Sequence, residues 1–406
     1  MRRPAMRLLL VRLVVVTALP VALGTGATTP HAQGQRLRAR ELGITIGSYP
    51  TGPLNAITDV EGVRVGHATI VRGEGRLTVG RGPVRTGVTA VLARPDIWYT
   101  AVFAATHTLN GDGEMTGTHW IRDLETLAHP ILITNTGSVG AVHDAALAYI
   151  SARHPTRDWG FLPVVAETWD GTLNDIAGRH VGQADVFAAL DAARGGPVAE
   201  GNVGGGTGVI CFRFKCGIGT SSRRLPAGDG GYTVGVLVQA NFGGRDQLRV
   251  DGVPVGREIS DLLPTVAPAA PPAPAADERH EGSVIVVVAT DAPLSSRQLE
   301  RVARRATLGL ARTGSTSGNT SGDIVLAFST GNAVPMTGGA RVIEARLLST
   351  DHVEPIFRAT ADATEEAVLN ALFKAETMSG INGNTVQALP YDRLRQVMAA
   401  YGRALR

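Results

Sequence analysis

The pair Gly282–Ser283, directly before the apolar run VIVVVAT, sets a hydroxyl beside a peptide bond that it can attack. Held in a strained turn, that bond yields to the serine, which forms an ester on the Gly282 carbonyl for water to hydrolyse. Glycine suits the first position, since without a Cβ it admits unusual backbone angles and leaves its carbonyl open. The cut frees an α-amino group on Ser283 with an unperturbed pKa of about 7.7–8.0, close to working pH. One residue then supplies both nucleophile and base, a variant of triad logic. Gly-Ser before a strand is frequent by chance, so other motifs must decide.

The remaining chemistry-bearing residue types lead elsewhere. The glycine-rich stretch GGGTG (residues 204–208) runs into the strand-like VICFRF, with no helix and no lysine and serine in Walker spacing, so no nucleotide site is expected. His67, His107, His119 and His143 form no ligand pair at useful spacing, and neither a catalytic metal nor another cofactor is expected. Cys211 and Cys216 are the only cysteines and lie five apart in VICFRFKCG. On a strand that spacing sends them to opposite faces, so they read as two small core or near-surface thiols without a disulfide between them. They also lack the histidine pair that would complete a zinc site.

A core large enough to position such groups is available: 406 residues, 44% hydrophobic and 18% charged, suffice for one large domain or two. The 39 basic and 36 acidic residues are interspersed, and no basic block points to nucleic acid. Apolar β-branched segments at residues 87–92, 131–135, 234–240 and 283–290 predict buried strands. Helical spacing of Leu299, Val302, Ala303, Ala306 and Leu310, behind a capping box of Ser295 and Gln298, predicts a helix; others fit residues 139–152, 355–378 and 390–401. In the last of these, Leu394, Val397, Met398 and Tyr401 form one apolar stripe. Without regular βαβ alternation, these elements predict a layered α+β or mixed-sheet fold rather than a doubly wound nucleotide binder.

Two segments stand apart. Arg2, Arg3 and Arg7 precede an apolar run over residues 8–23 that Arg12 and Pro20 interrupt, the pattern of a secretory signal peptide ending near residue 27. Export to a periplasm or the medium is the expectation, with no membrane attachment after its removal. Residues 263–276, LPTVAPAAPPAPAA, have no apolar periodicity and predict an exposed, partly extended linker.

Several long motifs occur in order: GPLNAITDVEGVRVGH (52–67), NGDGEMTG (110–117), PVVAETWDGTLND (163–175), GNVGGGTGVICFRFKCGIGTSSR (201–223), VLVQANFG (236–243) and GSVIVVVATDAPL (282–294). Together they resemble the DmpA-like L-aminopeptidase/D-esterase and β-peptidyl aminopeptidase family over nearly the whole mature chain. The resemblance implies a four-layer αββα sandwich like that of N-terminal-nucleophile hydrolases, related also to ornithine acetyltransferase. It implies self-cleavage at Gly282–Ser283 into an α polypeptide (residues 28–282, with an exposed Pro/Ala-rich tail over 263–281) and a β polypeptide (283–406). The αβ pairs would assemble into a homo-oligomer. The substrates implied are short peptides, amides or esters with a free amino terminus, carrying L-α-, D- or β-amino residues.

By the same resemblance, Ser283 is the nucleophile and the Asn241 amide helps form an oxyanion hole, a donor aimed at charge that develops in the transition state. Ser321 and Asp323 hydrogen-bond near the nucleophile and help set its protonation. Glu167 is the expected anchor for the substrate ammonium, a negative charge that reads a free amine. Trp169 stands where the family commonly has tyrosine; an indole donates but does not exchange a proton usefully, and its larger ring should narrow the pocket. The competing classes are a self-processing acyltransferase of the ornithine acetyltransferase type, which uses threonine, and an inactive secreted scaffold.

Overall fold

The computed structural model describes residues 36–155, 162–267, 282–336 and 342–405. The predicted signal peptide and residues 268–281 of the Pro/Ala tract lie outside the described residues.

The strand expected over residues 283–290 begins one residue earlier and spans Gly282–Thr290. Val284, Val286 and Val288 enter one apolar cluster, and Ile285, Val287 and Ala289 enter another. A strand buried on both faces belongs inside a layered fold, and two sheets with covering helices supply the layers. In chain order the strands are β1 (Arg64–Arg72), β2 (Val84–Leu92), β3 (Thr100–Gly111), β4 (Thr126–Leu127), β5 (Ile131–Asn135) and β6 (Val164–Thr168). There follow β7 (Ile210–Cys211), β8 (Phe214–Lys215), β9 (Ile218–Arg224), β10 (Thr233–Asn241), β11 (Gly282–Thr290) and β12 (Ser321–Pro335). One sheet has the order β1-β2-β5-β6, and the other β4-β3-β12-β11-β10-β9. Neighbours run antiparallel except β5 with β6 and β11 with β12.

The helices are α1 (Thr118–Leu124), α2 (Val139–Arg153), α3 (Gln183–Asp191), α4 (Val255–Glu258), α5 (Ser296–Arg312), α6 (Glu354–Phe373) and α7 (Tyr391–Ala400). Helices α2 and α3 cover the four-stranded sheet, and α5 and α6 cover the six-stranded sheet. The result is the four-layer αββα sandwich that the sequence resemblance implies. Helix α5 starts where its capping box places it: the Ser295 Oγ accepts the Gln298 N–H at 3.3 Å, and the Gln298 Oε1 accepts the Ser295 N–H at 3.0 Å. Helix α6 ends at Phe373, short of the predicted residue 378, because Met378 is in a two-residue strand paired with Thr385–Val386. In α7, Leu394 and Met398 are buried, whereas Tyr401 is exposed and its hydroxyl donates to Glu258 at 2.8 Å.

The segment around the cysteines corrects the sequence expectation. Cys211 and Cys216 form a disulfide with Cα atoms 5.3 Å apart. The segment is not one strand: Phe212 (φ 49°) and Arg213 (φ 59°) turn the chain back, pairing Ile210 with Lys215 and Cys211 with Phe214. A two-residue hairpin of this kind needs positive φ at both central positions, for which Asn-Gly is the usual signal, and Phe-Arg gives none. The Pro/Ala tract also starts tethered: the Thr265 N–H donates to the Thr385 carbonyl at 2.9 Å, and the Thr385 N–H returns the bond at 2.8 Å.

Candidate active site

Alternation along β10 and β11 decides which side chains meet. Asn241 shares the face of Leu237, and Ser283 that of Ile285 and Val287, all of which point into the seam between the sheets. Asn241 and Ser283 are direct register partners, and the Asn241 Nδ2 donates to the Ser283 Oγ at 3.4 Å. The Ile210 N–H donates to Asn241 Oδ1 at 3.0 Å, which fixes the amide with its nitrogen toward the serine. A second donor comes from the smaller sheet: the main-chain N–H of Trp169, just after β6, reaches the Ser283 Oγ at 3.1 Å. Two N–H groups from opposite sheets therefore converge on one buried hydroxyl.

On the adjoining strand β12, Ser321 is the register partner of Gly282, and Gly322 that of Ser283. The Ser321 Oγ donates to the Asp323 Oδ1 at 2.6 Å. Burial pushes the Asp323 carboxyl above the usual aspartate range, and hydrogen bonds from Ser321 and Ser317 hold it back. Gly282 lies within β11, paired as regular strand, so the strained turn considered from the sequence is not what calls for glycine here. Crowding is the reason: a Cβ on Gly282 would lie 3.0 Å from Ser321 Oγ and 3.3 Å from Phe242 Cα.

Glu167 is buried on β6, not paired with a surface arginine. Its Oε1 accepts the Glu114 N–H at 3.1 Å, and its Oε2 accepts the Thr136 hydroxyl. Burial raises its pKa and the nearby Glu114 and Asp112 charges add to the shift, against the two hydrogen bonds. One glycine separates it from the serine strands: a Cβ on Gly113 would lie 3.2 Å from Glu167 Oε1 and 3.0 Å from Gly322 Cα. The Trp169 ring is 41% exposed and folds over Gly171, whose Cβ would fall 2.5 Å from Trp169 Cζ2. Since residue 169 reaches Ser283 through its backbone, the exchange of tyrosine for tryptophan leaves that bond intact.

The sequence reading missed Gln239. Its Nε2 spans the seam to the Thr134 carbonyl at 2.9 Å and the Thr168 Oγ1 at 2.7 Å. A lone amide in the apolar run VGVLVQA was the available signal, since a buried polar side chain needs partners. Among the described residues, no group of three or more His, Cys, Asp or Glu side chains could hold a metal ion.

An αββα sandwich that opens a central strand with a serine, set in the seam under two N–H donors, defines a hydrolase of the N-terminal-nucleophile class. A model of Peptidase family S58 matches residues 55–386, and the chain belongs to that family of self-processing serine aminopeptidases. The chain is 46% identical over 391 residues to the β-peptidyl aminopeptidase BapA of Sphingosinicella xenopeptidilytica, covering 95% of this chain and 96% of the relative. Among solved structures, a Burkholderia sp. β-aminopeptidase aligns with TM-score 0.81 and 45% identity over 90% of this chain and 99% of that one. The L-aminopeptidase D-Ala-esterase/amidase of Ochrobactrum anthropi, described as a variant of the Ntn hydrolase fold, aligns with TM-score 0.81 and 44% identity, covering the same shares.

Proposed function

We propose that the chain cuts itself at Gly282–Ser283 and that Ser283 then releases the first residue from short peptides and amides, β-amino residues foremost. The observation that carries the reading is the convergence of the Trp169 N–H and the Asn241 amide on Ser283 Oγ, with Glu167 one glycine away.

In self-cleavage, the Ser283 Oγ adds to the Gly282 carbonyl carbon, the C–N bond breaks, and the departing Ser283 amine takes the proton. Water then hydrolyses the ester, leaving a Gly282 carboxylate and a Ser283 with hydroxyl and amine both free. The new amine arises beside Ser321, the partner of Gly282, whose bond to Asp323 gives the amine a polar neighbourhood. In turnover this amine accepts the hydroxyl proton as the Ser283 Oγ attacks the substrate carbonyl, and returns it to the leaving amine. Water then hydrolyses the resulting Ser283 ester, which frees the first residue and restores the hydroxyl. The oxyanion forms two bonds from Oγ, within reach of the donors that converge there, so Asn241 and the Trp169 N–H stabilise it. Glu167 takes the substrate ammonium in a setting made more negative by Asp112 and Glu114.

The β-amino preference is supported by the near full-length likeness to BapA, while the likeness to an L-aminopeptidase is almost as great. A denaturing gel with N-terminal sequencing should give two fragments, the smaller beginning Ser-Val-Ile-Val. Ser283→Ala should give one uncut chain without turnover, and normal hydrolysis by that variant would end the proposal. Faster turnover of L-Ala-amide or a D-Ala ester than of H-β-Ala-amide would overturn the β preference alone.

We also infer export, supported by the arginines and apolar run of residues 2–23, and assembly of αβ pairs into a homo-oligomer. Exposed Val342, Ile343 and Leu347 supply apolar surface for such contacts. N-terminal sequencing of exported protein and light scattering test the two.

A further inference from the structure

The disulfide-closed hairpin lies one bond away from the groups that touch Ser283. Its turn residues, Phe212 and Arg213, both carry side chains in the left-handed region, at φ 49° and 59°, which L-residues adopt only when their surroundings hold them there. Three devices do so. The Cys211–Cys216 disulfide bridges its two arms. The fully buried Lys215 Nζ donates to the Val209 carbonyl at 3.0 Å and also to the Cys216 carbonyl. Arg245 donates from Nε to the Phe212 carbonyl at 3.0 Å and from Nη2 to the Arg213 carbonyl at 2.7 Å, its guanidinium lying 3.4 Å from the Phe214 ring centroid.

What the hairpin presents to the site is the Ile210 N–H, 3.0 Å from Asn241 Oδ1. The next residue but one anchors it further, the Phe212 N–H donating to the Phe242 carbonyl at 2.8 Å. An asparagine amide has a donor end and an acceptor end of nearly the same shape. Without a fixed N–H on Oδ1 it can turn over and offer Ser283 an acceptor. The bridge spans only five residues in sequence, so its chain-entropy contribution lies at the low end for a disulfide. Its effect is local.

We propose that the Cys211–Cys216 disulfide is a positioning element of the reaction: by closing the strained hairpin it fixes the Ile210 N–H, and through it the Asn241 amide that donates to Ser283. The inference rests on the reading of Asn241 as a donor to the reacting oxygens.

A double-mutant cycle on the full chain tests it, combining Cys211→Ala/Cys216→Ala with Asn241→Ala and measuring H-β-Ala-amide hydrolysis. With Asn241 present, loss of the disulfide should lower kcat about tenfold, part of the effect of losing a whole oxyanion donor, with little change in KM. In the Asn241→Ala background it should cost nothing further, because the two act in series. Equal losses in both backgrounds, or no loss beside Asn241, would overturn the inference. An Asn241→Ala variant with unchanged kcat would instead sink the underlying reading, which keeps the two failures apart. Where a variant does not reach the cut form, the same cycle is read on the self-cleavage rate. For uncut protein, hydrogen exchange at the Ile210 amide should accelerate in the Cys211→Ala/Cys216→Ala variant, and unchanged protection there would overturn the inference.

Discussion

Replacing Gly282 by alanine should separate self-cleavage from peptidase activity. The added methyl would meet Ser321 Oγ at 3.0 Å and Phe242 Cα and Cβ at 3.3 Å. The hydroxyl is held by its bond to Asp323, and the Phe242 backbone is held by the Phe212 N–H, so neither yields freely. Overpacking of this degree costs about 1–2 kcal/mol, at the low end of the range for an extra methyl in a packed core. Attack turns the Gly282 carbonyl carbon tetrahedral and adds bulk where the methyl already presses, so the crowding is felt more in the transition state than before it. If the transition state bears a further crowding cost of that size beyond the ground state, then at about 1.4 kcal/mol per tenfold self-cleavage slows roughly 5- to 30-fold. Once the bond is cut, residue 282 is no longer joined to Ser283, and the processed enzyme should have the wild-type kcat. A time course of fragment appearance on denaturing gels gives the first rate, and amide hydrolysis by purified cut enzyme gives the second. Cleavage at the wild-type rate would refute the crowding argument, and a lowered kcat in the cut enzyme would refute the claim that residue 282 acts only before the cut.

Three other substitutions probe the site. Asn241→Ala removes one of the donors converging on Ser283 and should lower kcat about 10²- to 10³-fold; it also strands the Ile210 N–H, at a cost of about 1–3 kcal/mol in a urea unfolding curve. Glu167→Gln should raise KM more than it lowers kcat, by roughly 10- to 150-fold if one charged hydrogen bond worth about 1.5–3 kcal/mol is lost. Because burial raises the Glu167 pKa, its carboxylate is protonated at a higher pH than an ordinary glutamate. Inhibition by a simple amine should therefore weaken as pH falls through that raised value, and a Glu167→Gln enzyme should lack the transition. Trp169→Tyr keeps the main-chain donor to Ser283, so kcat should change little while the preference for bulky first residues widens; a kcat collapse would show that the indole matters directly.

The sequence made the central strands and their order of chemistry readable, because β11 is an unbroken β-branched run and Ser295 with Gln298 marks the start of α5. Asn241, Ser321, Asp323 and Glu167 came from motif resemblance; the structure puts the Asn241 amide against Ser283 Oγ, Ser321 with its bond to Asp323 against Gly282, and Glu167 against Gly113. What stayed hidden has physical causes. The Trp169 donor is a backbone N–H, which no side-chain type reports. The cysteine pairing depended on a turn made by Phe212 and Arg213, residues with no turn preference, so alternation along an assumed strand gave the wrong faces. Gly282 was read as a turn residue because glycine permits strain, yet its need is space beside Ser321, a long-range contact that local sequence does not encode.

The polar contacts that build the site also choose the register that places it. Since Val284, Val286 and Val288 face one core and Ile285, Val287 and Ala289 the other, hydrophobic burial scarcely distinguishes β11 from a copy of itself slipped by one residue. Such a slip would turn Ser283 toward the helices and put Val284 beneath the Trp169 N–H. Polar groups at the two ends of the strand oppose it. At one end the Thr290 Oγ1 donates to the Thr233 carbonyl at 2.8 Å, and the Thr233 N–H donates to the Asp291 Oδ1 at 2.7 Å. At the other, the Asn241 amide faces Ser283 and donates to its Oγ at 3.4 Å. A slipped strand would leave these buried groups without partners, at a cost of about 1–3 kcal/mol each. Selection for a correctly aimed serine and selection for a single pairing of β10 with β11 therefore act on the same residues.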